Sequence, residues 1–268
     1  MNAASKGSAM HLLKRRLRRL SRRARKIPAR ALLRLRGYDN SEAILLEPFH
    51  AIYFQIPKVA SSSIKRRLMN ELGLAGLAPH TTRFPAPDIG RLEAGDYDDY
   101  FKFSFVRNPW ARIVSCYQSK IARNRNVNGT LFNRCLFHLW PKSLTAMRNR
   151  AAGIPLLNAG LSFAEFVDAV SRIPDAAADK HFRSQHSFLC DANGELMVDY
   201  LGRLENFDED FEQVAERIGM PGANPQKRDK AYKPRGSYRD YYDQATWDKI
   251  AQRFRKDIEL LGYGECRL

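Results

Sequence analysis

The chain has 268 residues, 44% of them hydrophobic and 11% aromatic, which is enough to bury a sizeable core and excludes a disordered polypeptide. Its formal charge of +16 is unevenly spread, because residues 1–38 carry thirteen Lys and Arg and no Asp or Glu, leaving +3 for the remainder. The body is therefore only mildly basic, and the charge does not by itself point to nucleic acid. Cys116, Cys135, Cys190 and Cys266 are far apart, with no C-x-x-C pair and no histidines at metal-finger spacing, so they read as free thiols in a reducing compartment. No stretch approaches the roughly 18 apolar residues of a membrane span, and no apolar secretory-signal core is present.

The N-terminal segment, residues 1–38, contains "HLLKRRLRRLSRRARKIP". Leu13, Leu17, Leu20, Ala24 and Ile27 fall on one stripe of a helix whose other faces are basic, and Pro28 ends or kinks it. A basic amphipathic helix suits an anionic membrane surface over residues 11–36. A solvated leader docked on its own domain is the alternative, and a nucleic-acid or organellar-targeting role is a weaker third reading. Residues 39–268 form the expected main domain.

Within that domain "AIYFQI" (51–56) reads as a buried strand, and the following "SSIKRRLMNELG" as a helix that begins on serine and stops at Gly73. Residues 74–99 read as a loop with a short helix. "FKFSFV" (101–106) is a second buried strand, after which Asn108 is placed to cap a helix with Pro109 at its first position. Residues 124–160, which include "LFNRCLFHLW", read as an excursion or lid on the substrate side. "SFAEFVDAVSRI" opens with a capping box, Ser162 and Glu165. "MVDYLGRL" (197–204) is a third strand, "NFDEDFEQVAERIG" a helix with acids in its first turn, and Thr246 to Leu261 one long final helix. Strands alternating with helices predict an α/β domain with a parallel sheet flanked by helices on both faces.

Two strand-to-helix turns carry the chemistry. In "IPKVASSS" (56–63), the small residues Ala60, Ser61, Ser62 and Ser63 leave room for an anion at a helix N-terminus, with Lys58 at the strand's end. No glycine occurs between Tyr53 and Leu72 and the G-x-x-x-x-G-K-[ST] pattern is absent, which disfavours an ATPase or GTPase. A serine-capped turn with a solvated lysine is the plain structural alternative. The second turn, in "FVRNPWARIVSCY", supplies Arg107 and, eight residues on, Ser115, an arginine fork and a hydroxyl suited to a second phosphate.

"IPKVASSS" resembles the 5′-phosphosulfate loop of sulfotransferases. "FVRNPWARIVSCY" resembles the 3′-phosphate segment of the Golgi-type carbohydrate sulfotransferases related to the chondroitin and dermatan 4-O-sulfotransferases, known as sulfotransferase family 2. The likeness continues through "SFAEFVDAV", "DKHFRSQHSFLC" and "VDYLGRLENFDEDF", covering roughly residues 50–215. It implies a P-loop-kinase-like fold and 3′-phosphoadenosine 5′-phosphosulfate (PAPS) as donor, with no metal required. Lys58 then matches the lysine at the leaving oxygen, Val59 and Ala60 to Ser63 the 5′-phosphate loop, and Arg107 with Ser115 the 3′-phosphate pair. Relatives often carry glycine or cysteine where this chain has Ala60 and Ser61. Their Golgi membrane anchor is missing here, which fits a bacterial-style enzyme that is cytoplasmic and soluble or membrane-peripheral.

The resemblance implies sulfuryl transfer to a hydroxyl of a carbohydrate or glycolipid by in-line displacement, with Lys58 neutralising the departing phosphate. A histidine is the usual base. His80, between the two phosphate motifs, is the first choice and His181, beside Asp179 and His186, the second; an acid in that role, or neither histidine, is the remaining alternative, each histidine being equally readable as an ordinary surface or capping residue. In "AYKPRGSYRDYYD" (231–243), Arg235, Ser237 and Tyr238 are further donor contacts by analogy with a late segment of the family; a solvated basic loop is the alternative. A P-loop-like kinase and a non-enzymatic membrane or nucleic-acid adaptor are the competing functions. The first lacks its glycine-lysine signature, and the second does not explain Arg107 with Ser115.

Overall fold

The computed structural model describes residues 43–72, 84–88, 91, 95–122, 157, 160–191, 193–220, 236–264 and 266–268. The basic N-terminal helix, His80, Arg235 and nearly all of the 124–160 excursion lie outside the described residues, as does the boundary expected at residues 38 and 39.

Strand β1 (Ala43–Leu46) is followed by a 3-10 turn and β2 (Ala51–Phe54), all eight strand residues being buried. Helix α1 is Ser61–Glu71, β3 is Phe101–Val106 and α2 is Pro109–Lys120. Then come α3 (Phe163–Arg172), a four-residue α4 (His186–Leu189), β4 (Tyr200–Arg203), α5 (Phe207–Arg217), α6 (Gln244–Arg253) and α7 (Arg255–Leu260). The strands form one sheet in the order β1-β2-β3-β4.

The sheet is mixed, which corrects the expectation of a parallel one. β2, β3 and β4 run parallel, with Tyr53 opposite Phe103 and Phe105 opposite Gly202, whereas β1 pairs antiparallel with β2, Leu46 opposite Ala51. The link Glu47–His50 explains the direction: four residues can turn a hairpin but cannot make the dozen-residue crossover that a parallel neighbour needs.

The caps read from the sequence are present at α2 and α3. The Asn108 side-chain oxygen accepts from the Ala111 N–H at 3.1 Å. Ser162 and Glu165 close a reciprocal capping box. The final helix is divided at Phe254 (φ −111°), but hydrogen bonds from Phe254 to Ile250 and from Ile258 to Phe254 bridge the break. Its apolar stripe therefore stays continuous, with Trp247, Ile250, Phe254 and Leu261 buried.

Two apolar clusters hold these elements. The sheet, α1 and α5 share one, which includes Tyr53, Ile64, Phe103, Phe105 and Phe211. Helices α2, α3 and α6 share the other, centred on Trp110 stacked against Trp247 at 4.4 Å. Gly202 in β4 allows the first cluster to close, because a Cβ there would lie 2.5 Å from the Phe105 ring. The outcome is that the C-terminal ends of the neighbouring parallel strands β2 and β3 carry the two turns that the sequence marks as candidate anion sites.

Candidate active site

The first turn runs from β2 through Pro57, Lys58, Val59 and Ala60 into α1. Lys58 (φ 73°) and Ala60 (φ 60°) both sit in the left-handed region, a conformation that costs a non-glycine residue roughly 1–2 kcal/mol. The Ala60 carbonyl accepts from the N–H groups of Ser63 and Ile64, and no side chain caps the helix. A serine-capped turn is therefore not what forms: Ala60 takes the cap position and Ser61 is already helical. Val59 buries its side chain in the core, so only its backbone can face the turn. The Ser61 hydroxyl has no protein partner among the described residues.

Lys58 is half-buried and partnered rather than simply solvated. Its ammonium donates to the Ser119 hydroxyl at 2.7 Å. Burial, with repulsion from Lys120, Arg107 and Arg112, lowers its pKa from 10.5 to about 8. Among the described residues no carboxylate pairs with it.

The second turn is tied to the first. Arg107 follows the last residue of β3, and its guanidinium donates to the Lys58 carbonyl at 3.3 Å. Burial lowers Arg107 below the usual arginine value, while Glu205, Tyr263 and Tyr238 oppose the shift. Ser115 is half-buried on α2, and its hydroxyl has no protein partner among the described residues. Tyr238 thus belongs to the electrostatic surroundings of Arg107, its ring facing Trp247 at 6.5 Å. Ser237 instead caps the 3-10 turn Tyr238–Tyr241, its hydroxyl accepting from the Arg239 N–H at 3.2 Å.

A third segment completes the site. His181 donates from Nδ1 to the Asp179 carboxylate at 2.6 Å, and its backbone N–H reaches the same oxygen at 2.9 Å. That leaves Nε2 as the basic nitrogen. Burial lowers the His181 pKa; Asp179 opposes this, and the charges of Lys120 and Lys58 reinforce it. The electrostatic neighbourhood of Lys58 therefore includes His181.

Several supporting residues carry no local sequence signature. Arg112 is fully buried, and its guanidinium donates to the carbonyls of Pro57 (3.0 Å), Arg183 (2.7 Å) and Lys180 (3.3 Å). One side chain thus braces the turn before Lys58 and the segment bearing His181. A charged residue inside the apolar "WARIVSCY" is the one hint the sequence offers. Ser119 has none, because the lysine it holds lies 61 residues away. Gln185 and Asp257, which meet near Arg107, are likewise distant from it in sequence.

A profile of the sulfotransferase family matches residues 42–264. The chain belongs to the sulfotransferase family. It is thus a member of an enzyme family, as its motifs implied. Among curated proteins, it is similar to carbohydrate sulfotransferase 9 of Homo sapiens, at 26% identity over 82% of this chain and 49% of that protein. It is also similar to carbohydrate sulfotransferase 11 of Mus musculus, at 25% identity over 69% of this chain and 54% of that protein. An uncharacterized protein of Archaeoglobus fulgidus is 28% identical over 47% of this chain and 72% of its own length. The chain spans about half the length of the carbohydrate sulfotransferases it matches. No solved structure gives a significant match. Among the described residues of this sulfotransferase-family chain, no helix is long and apolar enough to cross a membrane.

Proposed function

We propose that the protein transfers a sulfuryl group from PAPS to a hydroxyl of a carbohydrate or glycolipid, on a P-loop-kinase-like arrangement of β2, β3 and β4. The observation that carries this reading is the state of Lys58: a largely buried ammonium with no carboxylate partner among the described residues, beside an uncapped helix N-terminus and bonded through its carbonyl to Arg107. Burying uncompensated positive charge is costly, so the arrangement is suited to an anion that supplies the missing negative charge. The residues fit a nucleotide bearing two phosphate groups. Ala60 to Ser63 would hold the 5′-phosphate, and the Arg107 fork with the Ser115 hydroxyl would hold the 3′-phosphate.

In the transfer, the acceptor oxygen attacks sulfur in line while the sulfur–oxygen bond to the phosphate breaks, its electron pair passing to the phosphate oxygen. Lys58 donates to that oxygen as its charge grows. His181 takes the acceptor's proton at Nε2, with Asp179 holding the ring and stabilising the imidazolium. His80 remains the alternative base by its place in the sequence. Arg112 keeps Lys58 and His181 in fixed relation through the carbonyls it joins.

The carbohydrate acceptor is inferred from the named relatives. The basic residues 11–36 are proposed to rest against an anionic membrane surface on its cytoplasmic side, as an extension preceding the domain at 39–268. The test is transfer of labelled sulfate from PAPS to a panel of glycans and glycolipids, comparing the wild type with Lys58→Met and His181→Ala. Label on an acceptor that Lys58→Met abolishes and His181→Ala sharply reduces is expected. Label that survives in Lys58→Met would reject the mechanism.

A further inference from the structure

Arg107 emerges where β3 ends, and its backbone has left the ladder of β4, whose last paired residue on β3 is Val106. A peptide group buried at such a point needs partners, and both come from one side chain. The Gln185 amide oxygen accepts from the Arg107 N–H at 3.0 Å, and the Gln185 amide nitrogen donates to the Arg107 carbonyl at 2.8 Å. Gln185 is completely buried. It imitates a neighbouring strand over a single residue and thereby fixes the main chain from which the guanidinium projects.

Gln185 is itself anchored. Its backbone N–H donates to Asp257 Oδ2 at 2.7 Å, while Asp257 Oδ1 accepts from the His186 N–H at 2.8 Å and from His186 Nδ1 at 2.7 Å. Asp257, on α7, is also completely buried, so a carboxylate with three donors locks residues 185 and 186. The chain of bonds runs from α7 through Gln185 to Arg107. The Arg107 guanidinium, by contrast, makes one hydrogen bond to protein among the described residues, to the Lys58 carbonyl. Of its five N–H donors, the others have no protein partner among the described residues and can meet an anion, and their direction is set by the backbone that Gln185 holds.

We propose that Gln185 is a positioning residue that determines selectivity for a 3′-phosphorylated nucleotide, with Asp257 as its anchor. The inference rests on the reading of Arg107 as the 3′-phosphate ligand. It predicts that the bonds at the Arg107 main chain matter only to ligands that carry the phosphate the guanidinium would grip.

The experiment is calorimetric titration of the full chain with 3′-phosphoadenosine 5′-phosphate and with 5′-AMP, for wild type, Gln185→Met, Asp257→Asn, Arg107→Ala and the double variant Arg107→Ala with Gln185→Met. Loss of oriented, charge-assisted bonds should cost Gln185→Met about tenfold or more in affinity for the bisphosphate. Its affinity for 5′-AMP should change by less than about twofold, so the selectivity ratio falls. Asp257→Asn should lower the same ratio to a lesser degree, and it serves alone if Gln185→Met does not fold. In the Arg107→Ala background, Gln185→Met should have no further effect on the bisphosphate. A wild type that selects the bisphosphate while the variants keep its full ratio would overturn this inference alone. A wild type that fails to select it would overturn the donor reading and this inference with it.

Discussion

The Lys58 ammonium donates to the Ser119 hydroxyl across 2.7 Å, and Ser119 in turn donates to the Cys116 carbonyl at 3.2 Å. Both acceptors are neutral. Burial also pushes the Cys116 thiol up to about 12, so no thiolate balances the lysine near neutral pH. Among the described residues the cation is held by dipoles alone, and this makes Lys58 costly to the folded chain.

That cost can be measured. Lys58 falls from 10.5 to about 8 on burial, which corresponds to roughly 3 kcal/mol of destabilisation below pH 8. Between pH 8 and 10.5 the unfolded chain binds the extra proton, so this contribution to stability improves as pH rises through that window. Lys58→Met should therefore abolish transfer while leaving the protein at least as stable as the wild type at pH 7. Denaturant melts at pH 7 and pH 10 check this, and the advantage of the variant should shrink at the higher pH.

The same groups set the pH profile. Lys58 must be protonated to donate and His181 neutral to accept, so kcat/KM should be bell-shaped. Its alkaline limb should lie near pH 8, and its acid limb should lie below 6.5 because burial lowers His181. Asp179→Asn removes the group that raises the His181 pKa, so the acid limb should move to still lower pH. The rate should fall in that variant because a neutral amide no longer stabilises the imidazolium that forms when His181 takes the proton. His181→Ala should cost about 10²–10⁴-fold in kcat. A profile unchanged in both variants would assign the base elsewhere.

Ala60 should tolerate glycine and refuse branching. At φ 60°, Ala60→Gly relieves left-handed strain but adds freedom to the unfolded chain, and the two effects should cancel to within about 0.5 kcal/mol. Ala60→Val should destabilise by more than about 1 kcal/mol and weaken donor binding, since the turn must deform. Chemical denaturation of both variants, with nucleotide titrations alongside, makes the comparison.

Tyr53 buries a hydroxyl that has no hydrogen-bond partner among the described residues, within a ring stacked on Phe103 at 5.3 Å. Tyr53→Phe keeps the stacking and removes the orphaned group, so stability should rise by about 1 kcal/mol. A lower melting temperature in Tyr53→Phe would contradict the orphan assignment.

Strands and caps with a local signature are legible in the sequence itself. "FKFSFV" coincides with β3, and Asn108, Pro109, Ser162 and Glu165 stand where their chemistry says. β1 is not legible because "AILL" is too short for periodicity to separate strand from helix, and its antiparallel pairing follows from a link length that has meaning only once the strand is known. The break at Phe254 leaves the apolar stripe intact, so no change of pattern marks it. In the site, Lys58 and Arg107 can be read because each follows a buried strand. Arg112, Ser119, Gln185 and Asp257 act across distances of 55 to 78 residues, and only the folded chain brings those partners together.

Whether this site receives a nucleotide through two phosphates is read from calorimetric titration of the protein with 3′-phosphoadenosine 5′-phosphate, ATP and 5′-AMP, repeated with Arg107→Ala. A two-phosphate site binds the bisphosphate selectively and loses that selectivity in the variant. Equal binding of all three nucleotides, or selectivity that survives in Arg107→Ala, would contradict it.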